Sequence, residues 1–525
     1  MPAKTRFLFF LPLLLLFGYG IKRSLSAPGS DFSAYYAGSR EIVHGRYPNA
    51  YHLRTLNSAI LADGYSGNFV SYGPFPPFTA VIFAPLLFFS MGLAKLVFNI
   101  ISCLLFLLTL WRCSRILAIP PWLLLVTPVV FFIPILNNLG FGQAYLILCC
   151  LLLEGWLAYR EQKMGAAALF WGLAILFKLT PAFLFLFLLL RRKYRQLFFL
   201  AAACGILFGI SLGVTGIGAW KFYVADILPK MGRGELNDSF TFIFQSAFML
   251  LKRVFLYDGL LNQHPLYYSP YGFVLSMALF KALVLAPVIL VTVRGRDEFF
   301  VFGVWLLASM LISPNGSSYS LVVLLIPLWA LAPAGRVKTA VAVVLVGVAC
   351  AVAVSRWGGY PVWGQFPRLY LLLAFFGFLL AQAGRIWNGW LILGLAAGFF
   401  GLDVRNYLPV KDNSSYVLSK EEHLYIYDYG VKDHRLVYFY QDDRGQGEKD
   451  TGIPVGALTD DSLQMRDNQI YYKGMRMTVS PDWKEKAMLL DGGTILYLSD
   501  KNRGSGFYTL RQIRINDAAV RGASR

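Results

Sequence analysis

Apolar runs recur so closely between residues 76 and 402 that most of this chain has no water-soluble fold open to it. With an earlier run at 7–21, the candidate spans are 92–110, 121–136, 143–159, 165–178, 181–190, 196–216, 272–293, 299–312, 318–333, 337–354, 367–383 and 386–402. Several are shorter than the roughly 20 residues that cross a bilayer upright, so tilted or broken helices are expected among them. Only 15% of residues are charged and the mean hydropathy is +0.55, where a soluble domain carries about 25% charged residues. The expectation is a polytopic α-helical membrane protein with about thirteen transmembrane helices, filling residues 1–403.

From about residue 404 the character changes. Residues 404–525 lack long apolar runs and carry short alternating segments, such as Leu436-Val437-Tyr438-Phe439-Tyr440 and Thr494-Ile495-Leu496-Tyr497-Leu498, separated by Gly and Asp/Asn turns. That spacing predicts a small C-terminal β-rich domain. Leu496 to Asp500 followed by Gly504 and Gly506 resembles one blade motif of TolB-type propellers, although about 120 residues are too few for a propeller of four-stranded blades.

Charge orients the helices. The net charge is +19, and the first 410 residues hold 31 of the 48 Lys and Arg against 12 of the 29 Asp and Glu. These bases flank apolar spans and form no separate basic domain, so nucleic acid is discarded as a partner. Basic loops face the cytoplasm. If 76–90 spans the membrane, Arg112, Arg115, Arg160 and Lys163 face outward; if it is re-entrant, they turn inward with Arg191, Arg192, Arg294, Arg336 and Arg385. Both alternatives put residues 22–75 and the C-terminal region outside, together with loops 217–271 and 355–366. Lys4, Arg6 and the following apolar run mimic a secretory signal, but Lys22 and Arg23 interrupt its cleavage region, and a retained first helix is expected. The six cysteines lie in or beside apolar segments without CxxC spacing, which indicates neither a disulfide framework nor zinc.

The outer face offers few acids: Asp31, Glu41, Asp63, Asp226, Glu235, Asp238 and Asp258, with Asp403 at the last boundary. Asp31 follows the first apolar run closely and has Phe32, Tyr35 and Tyr36 beside it. Partial burial among aromatics makes a carboxylate a better base, and aromatic rings stack on sugars. Asp is also a favoured helix cap, and from the residues alone the two readings are even. Lys178 interrupts an apolar stretch just before Pro181, where a lysine is expensive. It serves either as a point charge for a phosphate or as a residue snorkelling to the interface. Arg40 and Arg46 are further loop cations open to phosphate binding or to plain solvation. His264 is either a sugar or proton contact or an ordinary loop histidine, and His44 and His52 are uncommitted.

Asp31 with Tyr35-Tyr36, then Gly45-Arg46-Tyr47-Pro48, Tyr72-Gly73-Pro74-Phe75-Pro76-Pro77-Phe78, Ala84-Pro85-Leu86, Gly142-Gln143 and Gly172-Leu173-Ala174 through Phe177-Lys178-Leu179-Thr180-Pro181 together resemble glycosyltransferase family 87, of the GT-C class. The likeness covers roughly residues 30–330. Where the family usually has Gly-Gln-x-Asn, this chain has Gly142-Gln143-Ala144-Tyr145.

The resemblance implies a polyprenyl-phosphate-sugar donor, often carrying mannose, a lipid or glycan acceptor, and a site on the outer face of a bacterial plasma membrane. It also implies an essential Asp in the first outer loop, which falls on Asp31. Such a donor already carries a phosphate leaving group, so one basic carboxylate suffices where a hydrolase uses two. Tyr35, Tyr36, Tyr72, Lys178, Arg40, Arg46, His264 and Asn237 are then the candidate substrate-binding residues. No cluster has metal-ligand spacing and no Gly-rich phosphate loop precedes a helix, so neither a metal, nor another cofactor, nor a nucleotide sugar is expected. The rival reading is a transporter or flippase of lipid-linked sugars, which would be expected to show paired repeats and broken helices at mid-membrane; the sequence has no clear internal repeat.

Overall fold

The computed structural model describes residues 10–26, 29–65, 70–235, 239–294, 297–384, 387–407, 414–418, 425–442, 445–458 and 460–515. Helices fill the chain as far as Tyr407, and strands follow from Ser415 to Arg514. Three helical stretches are long and apolar enough to cross a membrane: Met91–Ile116, Tyr194–Gly232 and Pro270–Val293. Pro121–Val130 and Phe132–Phe141 make a fourth if counted as one span bent by 53°. Seven other apolar helices among the described residues run 10–17 residues. Thirteen full spans are therefore not confirmed, and the breaks have local causes. Pro128 lies inside the first arm of the bent pair, where it removes a helical hydrogen bond. The helix Met164–Phe177 stops at Lys178, whose backbone is extended, and Thr180–Ala182 turns the chain into Phe183–Leu190.

That turn makes a hairpin. Gln196, in the next helix, donates to the Met164 carbonyl at 3.2 Å, so both arms start at one end of the bundle and Lys178 lies at the other. The run 76–90 does not cross. It forms the six-residue helix Phe78–Phe83 and a 3-10 turn, Ala84–Phe88. Its far end comes back to the first loop, where the Tyr36 hydroxyl donates to the Phe89 carbonyl (2.8 Å). The far end of the bundle collects ion pairs: Arg112 with Glu154 (2.6 Å) and Arg191 with Glu298 (2.9 Å).

The first loop folds into three helices, Phe32–Val43, Tyr47–Tyr51 and Leu53–Ala62. They pack against the bundle around Tyr35, Tyr51 and Tyr72, all fully buried. The C-terminal region contains an antiparallel five-stranded sheet, in the order Ser415–Tyr416, Thr509–Arg514, Thr494–Ser499, Lys484–Leu490, Ala457–Leu458, and two three-stranded sheets. It sits directly on the first and second loops. Leu53 N–H donates to the Ser505 carbonyl (2.8 Å), Tyr416 and Asn502 both donate to Asp258 (2.8 Å each), and Lys230 pairs with the fully buried Asp500.

Candidate active site

Asp31 stands at the cap position of the helix Phe32–Val43, yet its side chain makes no cap hydrogen bond. The capping alternative is thereby removed. Its carboxylate instead accepts a hydrogen bond from Gln143 Nε2 at 2.7 Å, and the amide is fixed in that sense because the Tyr35 hydroxyl donates to Gln143 Oε1 at 3.0 Å. Tyr35 is itself immobile, stacked on Phe83 with ring centroids 4.7 Å apart. A buried tyrosine, an amide and a carboxylate thus form a line that aims one carboxylate oxygen.

The two loops of this line are strapped together. Lys95 Nζ donates to Ser30 Oγ and to the Gly140 carbonyl, both at 2.7 Å. Ser30 Oγ donates to the Phe141 carbonyl at 3.0 Å. Gly142 has φ +66°, and a Cβ there would lie 2.6 Å from the Phe32 Cβ, so glycine is needed both for the left-handed turn and for the approach. That turn ends one helix and presents Gln143 to Asp31.

Burial pushes the Asp31 carboxyl above the ordinary carboxylate range; the Gln143 hydrogen bond and then the charges of Lys178 and Lys95 oppose the rise. A carboxylate held in this way is a stronger base than one in water.

Gln143 and Lys178 line a cavity of about 440 Å³, with Phe75, Tyr145, Trp305 and Tyr319 among its other walls. Lys178 Nζ sits 3.8 Å from the centre of the Tyr145 ring and 5.2 Å from that of Phe75, within cation–π range of both. Tyr145, where the resemblance would place an Asn, supplies the ring nearest Lys178. Met231 and Gly232 form part of the wall and follow directly on Lys230, which the C-terminal region grips through Asp500.

The other expected residues are distributed differently. Tyr35 is fully buried with its hydroxyl on Gln143, and Tyr36 is bonded to Phe89. Tyr72 is buried with its ring over Gly38, where a Cβ would meet the ring at 2.2 Å. Arg40 pairs with Asp63 (2.9 Å), and Arg46 makes a two-pronged contact with Glu41 (2.8 and 2.9 Å); neither lines the cavity. His264 is exposed on the second loop. Asn237 lies outside the described residues. Among the described residues no group of three or more His, Cys, Asp or Glu is arranged to hold a metal. Sequence reasoning missed Lys95, although its signal equals that of Lys178: a lysine four residues into an apolar helix. Tyr319 and Trp305 carried no signal beyond apolar periodicity.

Residues 74–314 match the model of glycosyltransferase family 87. A polyprenol-phosphate-mannose-dependent alpha-(1-2)-phosphatidylinositol mannoside mannosyltransferase of Mycobacterium tuberculosis is 26% identical over 182 residues, covering 31% of this chain and 42% of that protein. A protein of the same name from Mycolicibacterium smegmatis is 32% identical over 183 residues, covering 31% of this chain and 41% of its own length. The chain therefore spans about two fifths of the length of the curated relatives it matches. That matched stretch contains the three helices that, among the described residues, are long and apolar enough to cross a membrane.

Proposed function

We propose, with residues 74–314 read as those of a family 87 glycosyltransferase, that this chain transfers a hexose, mannose in the first instance, from a polyprenyl-phosphate donor to a hydroxyl of a lipid or glycan acceptor. The observation that carries the proposal is the uncapped Asp31 carboxylate, aimed by Gln143 beside a cavity that also holds a caged lysine. Asp31 takes the acceptor hydroxyl proton as that oxygen bonds to the sugar's anomeric carbon. The bond from that carbon to the phosphate oxygen breaks, and polyprenyl phosphate leaves with the electron pair. The leaving group is a stable anion and needs no acid; it needs a cation to hold it. A single displacement inverts the anomeric configuration.

The basic ends gathered at Arg112, Arg191 and their partners support placing that end in the cytoplasm. Asp31 and the C-terminal domain, residues 404–525, then lie outside the bacterial plasma membrane. The test is transfer in membranes from labelled polyprenyl-phosphate mannose by Asp31→Ala and Asp31→Asn, the latter keeping an acceptor for Gln143. Transfer near the wild-type rate at equal protein level sinks the base assignment. Movement of the lipid-linked sugar across vesicles without transfer replaces it by the transporter reading.

A further inference from the structure

A second, smaller cavity of about 50 Å³ opens off the first: Tyr145, Thr180, Phe183, Ser309, Ser313 and Asn315 line both. At its wall lies Arg368, in the first turn of the helix Pro367–Ala383 and only 4% exposed. Its Nε donates to the Ala349 carbonyl (3.2 Å) and its Nη2 to the Val352 carbonyl (3.0 Å). Among the described residues its Nη1 has no protein partner, and no carboxylate pairs with its charge. Burying an unpaired guanidinium is costly unless an anion completes the site.

Leu306, Met310, Leu321, Leu369 and Leu372 give that cavity an aliphatic side, with Gln245, Ser246 and Ser320 elsewhere in its wall. One cation above an aliphatic floor is the complement of a phosphate joined to an isoprenoid chain, and the space suits a phosphate rather than a sugar ring. Placement argues the same way. In an inverting displacement the base and the leaving oxygen stand on opposite sides of the anomeric carbon. Gln143, which holds Asp31, and Lys178 both line the larger cavity, which is therefore the base side. Arg368 lines only the smaller cavity, which shares Ser309 and Ser313 with the larger one but neither Gln143 nor Lys178.

We propose that Arg368 binds the leaving phosphate of the donor, with the first isoprene unit against Met310, Leu369 and Leu372. This rests on the transfer reading above and names a residue that the sequence did not single out.

The experiment is binding of polyprenyl phosphate, and of the matching polyprenol without phosphate, to the purified full-length chain in nanodiscs. Wild type should prefer the phosphate. Arg368→Gln should lose about ten- to a hundredfold of phosphate binding, the scale of a charge-assisted contact, while polyprenol binding stays put and Arg368→Lys recovers part. In transfer assays Arg368→Gln should raise KM for the donor and leave KM for the acceptor alone. Because Arg368 also ties two carbonyls, Met310→Trp gives an independent reading: it fills the small cavity while leaving Arg368 in the sequence, and should weaken both lipids. The proposal is overturned if folded Arg368→Gln binds polyprenyl phosphate as wild type does, if it weakens both lipids equally, or if Met310→Trp binds normally. Wild type that binds neither lipid defeats the transfer reading itself.

Discussion

Gln143 is the place where the proposed chemistry is most exposed to test. It touches the base and not the reacting atoms, so it is a positioning residue. Gln143→Leu keeps the side-chain volume and removes both hydrogen bonds, the 2.7 Å donation to Asp31 and the 3.0 Å acceptance from Tyr35. A hydrogen bond to a charged group contributes about 1.5–3 kcal/mol, and about 1.4 kcal/mol is tenfold in rate. The expected loss in kcat is therefore about ten- to a hundredfold. Stability should fall as well, since the Tyr35 hydroxyl is left buried without an acceptor, at about 1–3 kcal/mol. Loss of rate alone would not separate aiming from simple damage, but pH does. The Gln143 bond is the largest of the influences that hold the Asp31 carboxyl down against burial. Without it that carboxyl titrates still higher, so the acid limb of the kcat profile must move to higher pH. Gln143→Glu puts a second carboxyl against Asp31 and should move the limb further in the same direction, while Tyr35→Phe should give a smaller rate loss. Transfer from labelled donor by purified enzyme, followed across pH, is the assay. A Gln143→Leu enzyme with a wild-type acid limb, whatever its rate, refutes the claim that Gln143 tunes and aims Asp31.

Two further predictions concern the clamp between the first loop and the C-terminal region. His52 stacks on Trp483 and lies over Gly506, and burial, then Arg54 and Lys230, lowers its pKa from an ordinary 6.5 to about 4. The folded state thus disfavours the protonated ring, so stability is unaffected above pH 6.5 and falls as pH drops from 6.5 towards 4, by on the order of 3 kcal/mol at about 1.4 kcal/mol per pH unit; thermal melting of His52→Gln should lose that slope, and an unchanged slope refutes the assignment. Asp500→Leu leaves Lys230 buried without its carboxylate and strips acceptors from the Trp483 and Gly506 N–H groups; it should cost about 3–5 kcal/mol in melting experiments and lower transfer through the adjoining Met231–Gly232 wall, an idea that a fully active, normally stable variant would end.

What could be read from sequence followed from physics that acts over short distances. The membrane character, the β-rich C-terminal region and the non-crossing alternative for 76–90 rest on hydropathy, period-two alternation and charge flanks, all local signals. Asp31 was legible as a candidate, but its two readings, cap or base, differ only in where one side chain bonds. The deciding contact comes from Gln143, 112 residues away. Arg40 and Arg46 failed as cavity cations for the same reason: Asp63 and Glu41 claim them, and nothing in the spacing of a loop says which acid will fold back.

The buried cations carry the more general lesson. Lys95, Lys178 and Arg368 all interrupt or begin apolar helices, and a charge in such a place needs a reason. The reasons differ. Lys95 is spent on Ser30 and Gly140, holding two loops together. Lys178 is caged by rings in the wall of the cavity and acts on Asp31. Arg368 is tied by two carbonyls and leaves one nitrogen unclaimed. A sequence can flag all three as expensive. Only the partners, supplied by distant helices, sort a strut from a tuner from a binding group, and that sorting is what turns a basic apolar chain into an argument about where a phosphate goes.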